Sequence, residues 1–511
     1  MTTDIPGFWR FAAAHPGRPA AIADNGAVVT YGTLAGWTNR LSNAFTGAGL
    51  RPGDAVAALL RNGPAFLAVN LAAMQSGLYF TPINGHLTGG EAGYILGDCG
   101  ARYLITETRL ADVALAAAET AGLDPDRVLT ATPEDRLRAL TDFVAGVPGT
   151  PPAGRTAGQV LLYSSGTTGR PKGIRKPLSG GSPEDQARWF GERFRDFFGL
   201  DVGAGTHLAV APLYHSAPNA QAIGVLQLGH TVVLADRFDA RRALELIARH
   251  RVTNTFMVPT MFHRMLALPD DERARCDVSS LRRVIHAGAP CPVDTKRAMI
   301  DWWGPLFSEY YGATETGMAT IVHSAEWLAH PGTVGRVRDG YDIRIAGDDG
   351  RLTPAGEPGL IHCAGGYAFD YVGDPRKTAD SHIDGYFVPG DVGYVDGEGY
   401  LYLCDRRVDM ILAGGVNVYP AEIEAVLVQH PAVADVAVIG LPEPEMGNRV
   451  VAVVQPAADA VPGPALGRDL IGYCAGRLAR YKCPSAVEFG ALPRTESGKL
   501  SHARVREMYL T

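Results

Sequence analysis

The sequence has no paired cysteines, no long apolar run and no excess of positive charge, and each absence removes a class of protein. Its seven cysteines, Cys99, Cys276, Cys291, Cys363, Cys404, Cys474 and Cys483, are scattered and odd in number. None stands in a CxxC pair, so neither a zinc site nor a disulfide framework is expected, and a reducing cytoplasm fits. No uninterrupted apolar stretch reaches the roughly 18 residues of a membrane-spanning helix. The opening residues MTTDIPGFWRFAAAHPG lack the basic start and apolar core of a secretory leader. The formal net charge of −7 argues against a broad nucleic-acid surface and leaves open a local basic patch for an anionic cofactor. No internal period of roughly 20–50 residues is present. The GxxxxGK[ST] phosphate loop and the GxGxxG turn are missing as well.

What is present describes a globular chain with more than one core. At 511 residues, with 46% hydrophobic and 20% charged side chains, two or more domains are expected. Apolar positions Leu34, Trp37, Leu41 and Phe45 recur at helical spacing. A strand at Asp54–Leu60, a helix at Pro64–Met74 and a strand at Tyr79–Ile83 follow, the alternation of a layered α/β domain. Thr88 with Glu91 three residues on reads as a helix cap. The Pro/Gly-rich stretch Val144–Gly158 has the composition of a boundary and is read as a surface connection. From Gly332 onward the pattern changes to short strands divided by Gly, Asp and Pro, as in an antiparallel, barrel-like subdomain. The last part of the chain reads as helix, hairpin strands, helix and strand, a compact α+β unit.

The chemistry centres on Tyr163–Gly173, YSSGTTGRPKG. Gly166, Gly169 and Gly173 let backbone approach a ligand, while Ser164, Ser165, Thr167 and Thr168 add hydroxyls and Lys172 a compact charge. Successive N–H groups, hydroxyls and one ammonium suit the oxygens of a polyphosphate, although a flexible surface loop has a similar composition. Arg175 and Lys176 behind it read as a solvated basic pair. His215, in the turn of PLYHSAP, would on its own be structural. Met257 and Val258 would be core. The strands LRRVIH and LFSEYY each end in a glycine-containing turn, GAP at 288–290 and GATETG at 312–317.

Taken in order, these segments resemble the adenylate-forming superfamily, which includes acyl-CoA synthetases, luciferases and the adenylation domains of peptide synthetases. The resemblance runs from about residue 10 to residue 505. It implies an α/β fold. A large N-terminal domain of layered α/β subdomains with a barrel-like β subdomain would occupy 1–405, and a small mobile α+β lid would occupy 406–511. It further implies that Ser164, Ser165, Gly166, Thr167, Thr168, Gly169 and Lys172 hold the phosphates of ATP. Gly288, Ala289, Pro290, Tyr311 and Gly312 would form the adenine side, with Tyr311 as the stacking platform. Thr314 would meet the α-phosphate, and Glu315, with Thr167, would hold Mg²⁺. Asp391 and Arg406 would take the ribose hydroxyls. Pro389 stands where the family has threonine, and Val408 takes a hinge position that is commonly lysine or aspartate. His215, Ser216, Ala217, Met257, Val258 and Tyr310 would line the acyl pocket, with His215 beside the substrate carboxylate. Lys499, in PRTESGKL, would be the lysine that swings in to clamp carboxylate and α-phosphate.

Such a site would activate a small carboxylic acid as an acyl adenylate. The resemblance to acyl-CoA synthetases makes coenzyme A the expected acceptor, with Gly414 and Gly415 lining a pantetheine tunnel. A stand-alone amide synthetase of the coronafacic acid ligase type, delivering an amine, is the alternative. Carrier-protein loading is a third outcome, and no carrier domain is expected after Lys499. A dead nucleotide-binding scaffold is disfavoured by the presence of Lys172, Glu315, Asp391 and Lys499 together. Ser216 stands where amino-acid-activating relatives place an aspartate. An unpaired ammonium buried there would cost several kcal/mol, so a non-amino acid with an apolar or aromatic body is expected.

Overall fold

A computed structural model of the chain describes residues 5–164, 171–347, 349–406, 409–413, 416–443, 447–478, 480–494 and 500–510. It divides into two compact units. The first comprises Met1–Ala287, Ala298–Met318 and Gly366–Asp380; the second comprises Gly288–Arg297, Ala319–Gly365 and Ser381–Thr511. The first runs unbroken through 144–158, in keeping with a surface connection there. Asn39 and Asn43 hold that stretch by donating to the carbonyls of Gly149, Pro148 and Thr150.

In the first unit the main sheet is parallel. Its strands lie in the order Pro19–Ile22, Thr231–Leu234, Thr206–Ala209, Asn254–Met257, Arg283–His286 and Phe307–Glu309. Val28–Thr30 adds an antiparallel edge. Parallel strands need crossover connections, and the helices Ser216–Gln227 and Ala240–His250 supply two of them. Every residue of Asn254–Met257 is buried, as expected for a strand covered on both faces. A second sheet is also parallel, in the order Arg138–Ala139, Val128–Thr130, Ala101–Thr106, Ala55–Ala58, Tyr79–Pro82 and Gln159–Val160. The helix Gly89–Asp98 beside it starts on the capping box expected from Thr88 and Glu91, with both reciprocal bonds formed. A third, three-stranded sheet joins Leu162–Ser164, Lys172–Arg175 and Asp370–Tyr371 in antiparallel fashion.

In the second unit the strands are antiparallel, as the sequence pattern predicts. They run in the order Thr320–His323, Thr333–Val337, Tyr400–Arg406, Asp391–Val395, Gly359–Gly365, Tyr386–Phe387 and His382–Ile383. Tyr341–Ala346 also pairs with Gly359–Gly365. The C-terminal part of the unit has its own core. Val433–Glu443 and Gly447–Pro456 form an antiparallel pair, and Ala486–Phe489 adds parallel to the latter. Ile423 and Leu427 of the helix Pro420–Leu427, with Leu470 and Cys474 of Pro464–Ala475, bury against one face of these strands. Val505 of His502–Met508 packs with Ala437, Ile439, Val451 and Val453 on the other.

One local expectation is refined. The sequence reads 306–317 as a strand that breaks into a turn, whereas Gly312–Ala313 and Gly317–Met318 pair as a second, tight hairpin. Glycine is required at 312, since a Cβ there would sit 1.9 Å from the Gly317 carbonyl oxygen. The hairpin places Thr314, Glu315 and Thr316 at its tip.

Candidate active site

The parallel sheet aligns the residues on which an active site can be built. Ala209, Phe256, Ile285 and Ser308 are level across four adjacent strands. The segments that leave the carboxyl ends of these strands carry His215, Val258, Ala287 and Tyr310–Thr316 respectively. Open parallel sheets bind ligands beyond this edge, because the loops there converge without strand pairing to obstruct them. The turn before His215 is held by side chains from outside it. Asn62 donates to the carbonyls of Ala211 and Ala235 and accepts from the N–H of Leu213. Asn219 donates to the Leu213 carbonyl and accepts from Asn70. His215 itself precedes the first residue of Ser216–Gln227 and packs its ring 4.4 Å from that of Tyr214.

Lys172 opens the strand that returns from the glycine-rich loop. Its Cα partner across the sheet is Ser164, so the two ends of that loop are pinned side by side. Gly173 allows the close packing that follows: a Cβ there would meet the Tyr163 ring and the Val372 side chain at 2.8 Å. Tyr163 is anchored in turn by donating to Asp98 at 2.5 Å. The Lys172 ammonium lies 5.0 Å from the centre of the Tyr371 ring. The Tyr371 hydroxyl donates to Glu315 at 3.0 Å. Cation, ring and carboxylate thus form a chain from the loop to the Thr314–Thr316 tip. Burial lowers the pKa of Lys172, aided by Lys377 and opposed by Glu315 and Asp374. Burial also raises the Tyr371 phenol, and Glu315 raises it further, so the hydroxyl keeps its proton and remains a donor to the carboxylate.

Tyr371 has no part in the site as read from sequence, since a lone tyrosine between Asp370 and Val372 carries no spacing signal. The register of Ile174 with Tyr371 is what brings it there. The reading of Arg175 and Lys176 as a solvated pair is corrected. Arg175 sits 5.0 Å from the Tyr79 ring centre, with its Nε buried. Lys176 lies 4.3 Å from the Tyr367 ring centre.

On the acyl side, Met257 and Val258 are buried, 0% and 8% exposed, at the end of their strand. Tyr310 follows its strand, beside Gln221, which is 1% exposed. Its ring centre is 6.3 Å from Phe198 and 6.5 Å from Phe256. Burial pushes the Tyr310 phenol up, and the Gln221 hydrogen bond opposes this. Ser216 and Ala217 begin the helix after His215. Tyr311 and Glu315 are each 8% exposed, and Gly312 and Thr314 are more open.

Gly288, Ala289 and Pro290 fall in the second unit. There too, Asp391 and Arg406 are Cα partners on adjacent strands. Ser165, Gly166, Thr167, Thr168, Gly169, Val408, Gly414, Gly415 and Lys499 lie outside the described residues. Among the described residues no group of three or more His, Cys, Asp or Glu is placed to hold a metal ion, and no helix is long and apolar enough to cross a membrane.

Residues 8–370 match the family model of the AMP-binding enzyme, and residues 422–499 match that of the AMP-binding enzyme C-terminal domain. Feruloyl-CoA synthase of an Amycolatopsis species is 37% identical over 501 residues, covering 96% of each protein. The structure of the anthranilate CoA ligase AuaEII in complex with anthranoyl-AMP has a TM-score of 0.87 at 26% identity, over 98% of this chain and 96% of that one. The amide bond synthetase McbA from Marinactinospora thermotolerans has a TM-score of 0.81 at 28% identity, over 98% and 99% of the two chains.

Proposed function

The chain belongs to the AMP-binding enzyme family, the adenylate-forming superfamily of the sequence reading, and from that premise we propose that it is an ATP-dependent acid:CoA ligase acting on an apolar or aromatic carboxylic acid. The substrate carboxylate attacks the α-phosphorus of ATP, the bond to the β-phosphate oxygen breaks, and pyrophosphate leaves. The thiol of coenzyme A then attacks the carbonyl carbon of the adenylate, loses its proton, and expels AMP. Adenylation asks the protein mainly for positioning and charge neutralisation.

The Lys172–Tyr371–Glu315 chain beyond the carboxyl edge of the parallel strands supports this reading. Lys172 and the hydroxyls of 164–168 take the β- and γ-phosphates, and Thr314 meets the α-phosphate. Glu315 offers hard oxygen donors of the kind that Mg²⁺ takes, with Thr167 as its companion, and fits an ion that draws its other ligands from phosphate and water. When bound, the ion neutralises charge on the phosphate oxygens. Tyr311 stacks on adenine, Gly288, Ala289 and Pro290 belong to the adenine side, and Asp391 and Arg406 hold the ribose. Lys499, on a mobile lid beginning near residue 406, stabilises charge in the transition state of adenylation alone. Gly414 and Gly415 line the way in for coenzyme A. The aromatic surroundings of Tyr310 and the names of the feruloyl and anthranilate ligases favour an aryl acid.

The test is product identification by mass spectrometry, with ATP, Mg²⁺ and a panel of aryl, alkyl and amino acids, each with coenzyme A or with amines. Aryl or alkyl thioester with stoichiometric AMP is expected. Amide without thioester would replace the acceptor, and exchange with α-amino acids alone would overturn the acid class. Lys499→Ala should lower adenylation by roughly 100-fold or more and pass synthetic acyl adenylate to coenzyme A at near the wild-type rate.

A further inference from the structure

Lys172 opens the strand Lys172–Arg175, and Lys176 is the residue directly after it. Each ammonium rests on a tyrosine, and the two tyrosines, Tyr371 and Tyr367, are four residues apart, like the lysines. The arrangement is a two-rung ladder of lysine on tyrosine, and Glu315 draws on both cations. Trp189 packs edge-on to Tyr367 at 6.2 Å and is covered by the Arg193 guanidinium at 4.5 Å, which fixes the outer rung. Among the described residues no carboxylate oxygen lies within ion-pair distance of Lys172 or Lys176. A partly buried ammonium that has given up water and gained only a ring face is not fully compensated, because a ring quadrupole is a weaker partner than an anion.

The geometry points to Lys176 as a second cation for the polyphosphate of ATP, acting one rung beyond Lys172. This rests on the function proposed above and assigns to that site a residue which the glycine-rich motif does not include. A solvated surface lysine would extend into water rather than lie over Tyr367. A purely structural cation–π contact would not need the same attracting carboxylate as Lys172. Burial brings the Lys176 pKa down to about 8, with Glu315 pulling it back. The Tyr367 ring lies under its ammonium, Glu315 is the carboxylate whose field reaches it, and the Tyr79 hydroxyl donates to the Lys176 carbonyl at 2.9 Å. Without a bound anion the ammonium therefore loses its proton as the pH rises through about 8, and ATP must bind with proton uptake above that point.

The experiment uses the full chain. ATP–pyrophosphate exchange is measured against ATP and against the acid, from pH 6.5 to 9.5, for the wild type, Lys176→Met and Lys176→Arg, with ATP binding measured directly by calorimetry. Lys176→Met should raise the KM and Kd for ATP about tenfold, the worth of one charge-assisted bond, with the KM for the acid unchanged. Lys176→Arg should restore ATP affinity and flatten the rise in KM above pH 8. Unchanged ATP affinity in Lys176→Met, or a change in the acid's KM instead, overturns the proposal. If the wild type exchanges no pyrophosphate with any acid, the proposed function fails, and calorimetry with ATP still decides the role of Lys176. If Lys176→Met does not fold, the pH profile of Lys176→Arg decides it: a profile like that of the wild type overturns the role.

Discussion

Two sets of cations, one behind the glycine-rich loop of the first unit and one in the C-terminal part of the second, are partnered in opposite ways. In the first, Lys172, Arg175 and Lys176 lie over Tyr371, Tyr79 and Tyr367. In the second, Lys482 meets both oxygens of Glu422 at 2.7 Å, and Arg494 bonds the two oxygens of Asp435 at 2.5 and 2.9 Å. There too, His502 lies between Glu424 at 2.6 Å and Asp409 at 3.6 Å. A cation matched to a carboxylate has its charge neutralised within the fold and serves to hold elements together. A cation left on an aromatic face keeps most of its field available to an anion that arrives later. Substitutions in the first set should therefore cost function, and substitutions in the second should cost stability.

Lys172→Met is the largest expected break of that contrast. Adenylation should fall by roughly 100- to 1000-fold, as when a charge-stabilising donor is lost, while the thermal midpoint stays near that of the wild type. A large fall in the midpoint would place Lys172 with the structural cations. His502→Ala should come next, through stability, at about 3 kcal/mol for a broken buried pair, read by denaturant unfolding. Burial alone would lower the pKa of His502, but Glu424 and Asp409 raise it to about 10. Because the folded value lies above the ordinary one near 6.5, this contribution is fully present below about pH 6.5. It is lost as pH rises through about 10, and His502→Ala should lack that decline. Tyr371→Phe sharpens the comparison: it keeps the ring under Lys172 and removes the hydroxyl on Glu315. Adenylation should fall about tenfold, the worth of one hydrogen bond to a charged group, chiefly through the Mg²⁺ concentration needed for half-maximal rate. Lys482→Met should cost least, below about 1 kcal/mol, as for a partly exposed ion pair.

Much of the architecture was legible because local rules and global packing agree. The Thr88–Glu91 capping box needs only four residues to recognise and is formed with both bonds. The change at Gly332 from alternating helices and strands to short antiparallel strands follows from where turn residues fall. The glycine-rich segment stands out because its hydroxyls, glycines and lysine are contiguous, and Ser164 and Lys172 at its two ends are cross-strand partners. Tyr371 and Lys176 do not stand out. The first reaches Glu315 from 56 positions away only through strand register, which no local pattern encodes. The second resembles any surface lysine until Tyr367 is folded over it. The hairpin at 312–318 was hidden for another reason, since GATETG is as good a turn as it is a pair of two-residue strands with a tip between.

The three asparagine-borne bonds on the turn at 211–213 separate two jobs that a single segment usually performs together. Asn62 and Asn219 satisfy the backbone of that turn from outside, so its shape is not written in the side chains of His215, Ser216 and Ala217 that follow. Ser216 and Ala217 can therefore vary with little penalty to folding. With these positions in the acyl pocket, as proposed above, a lineage or a mutant library would explore new acids by changing them while the platform stays intact. Replacing Asn62 itself should freeze that exploration, because every downstream change would then be tested on a turn that no longer holds its form.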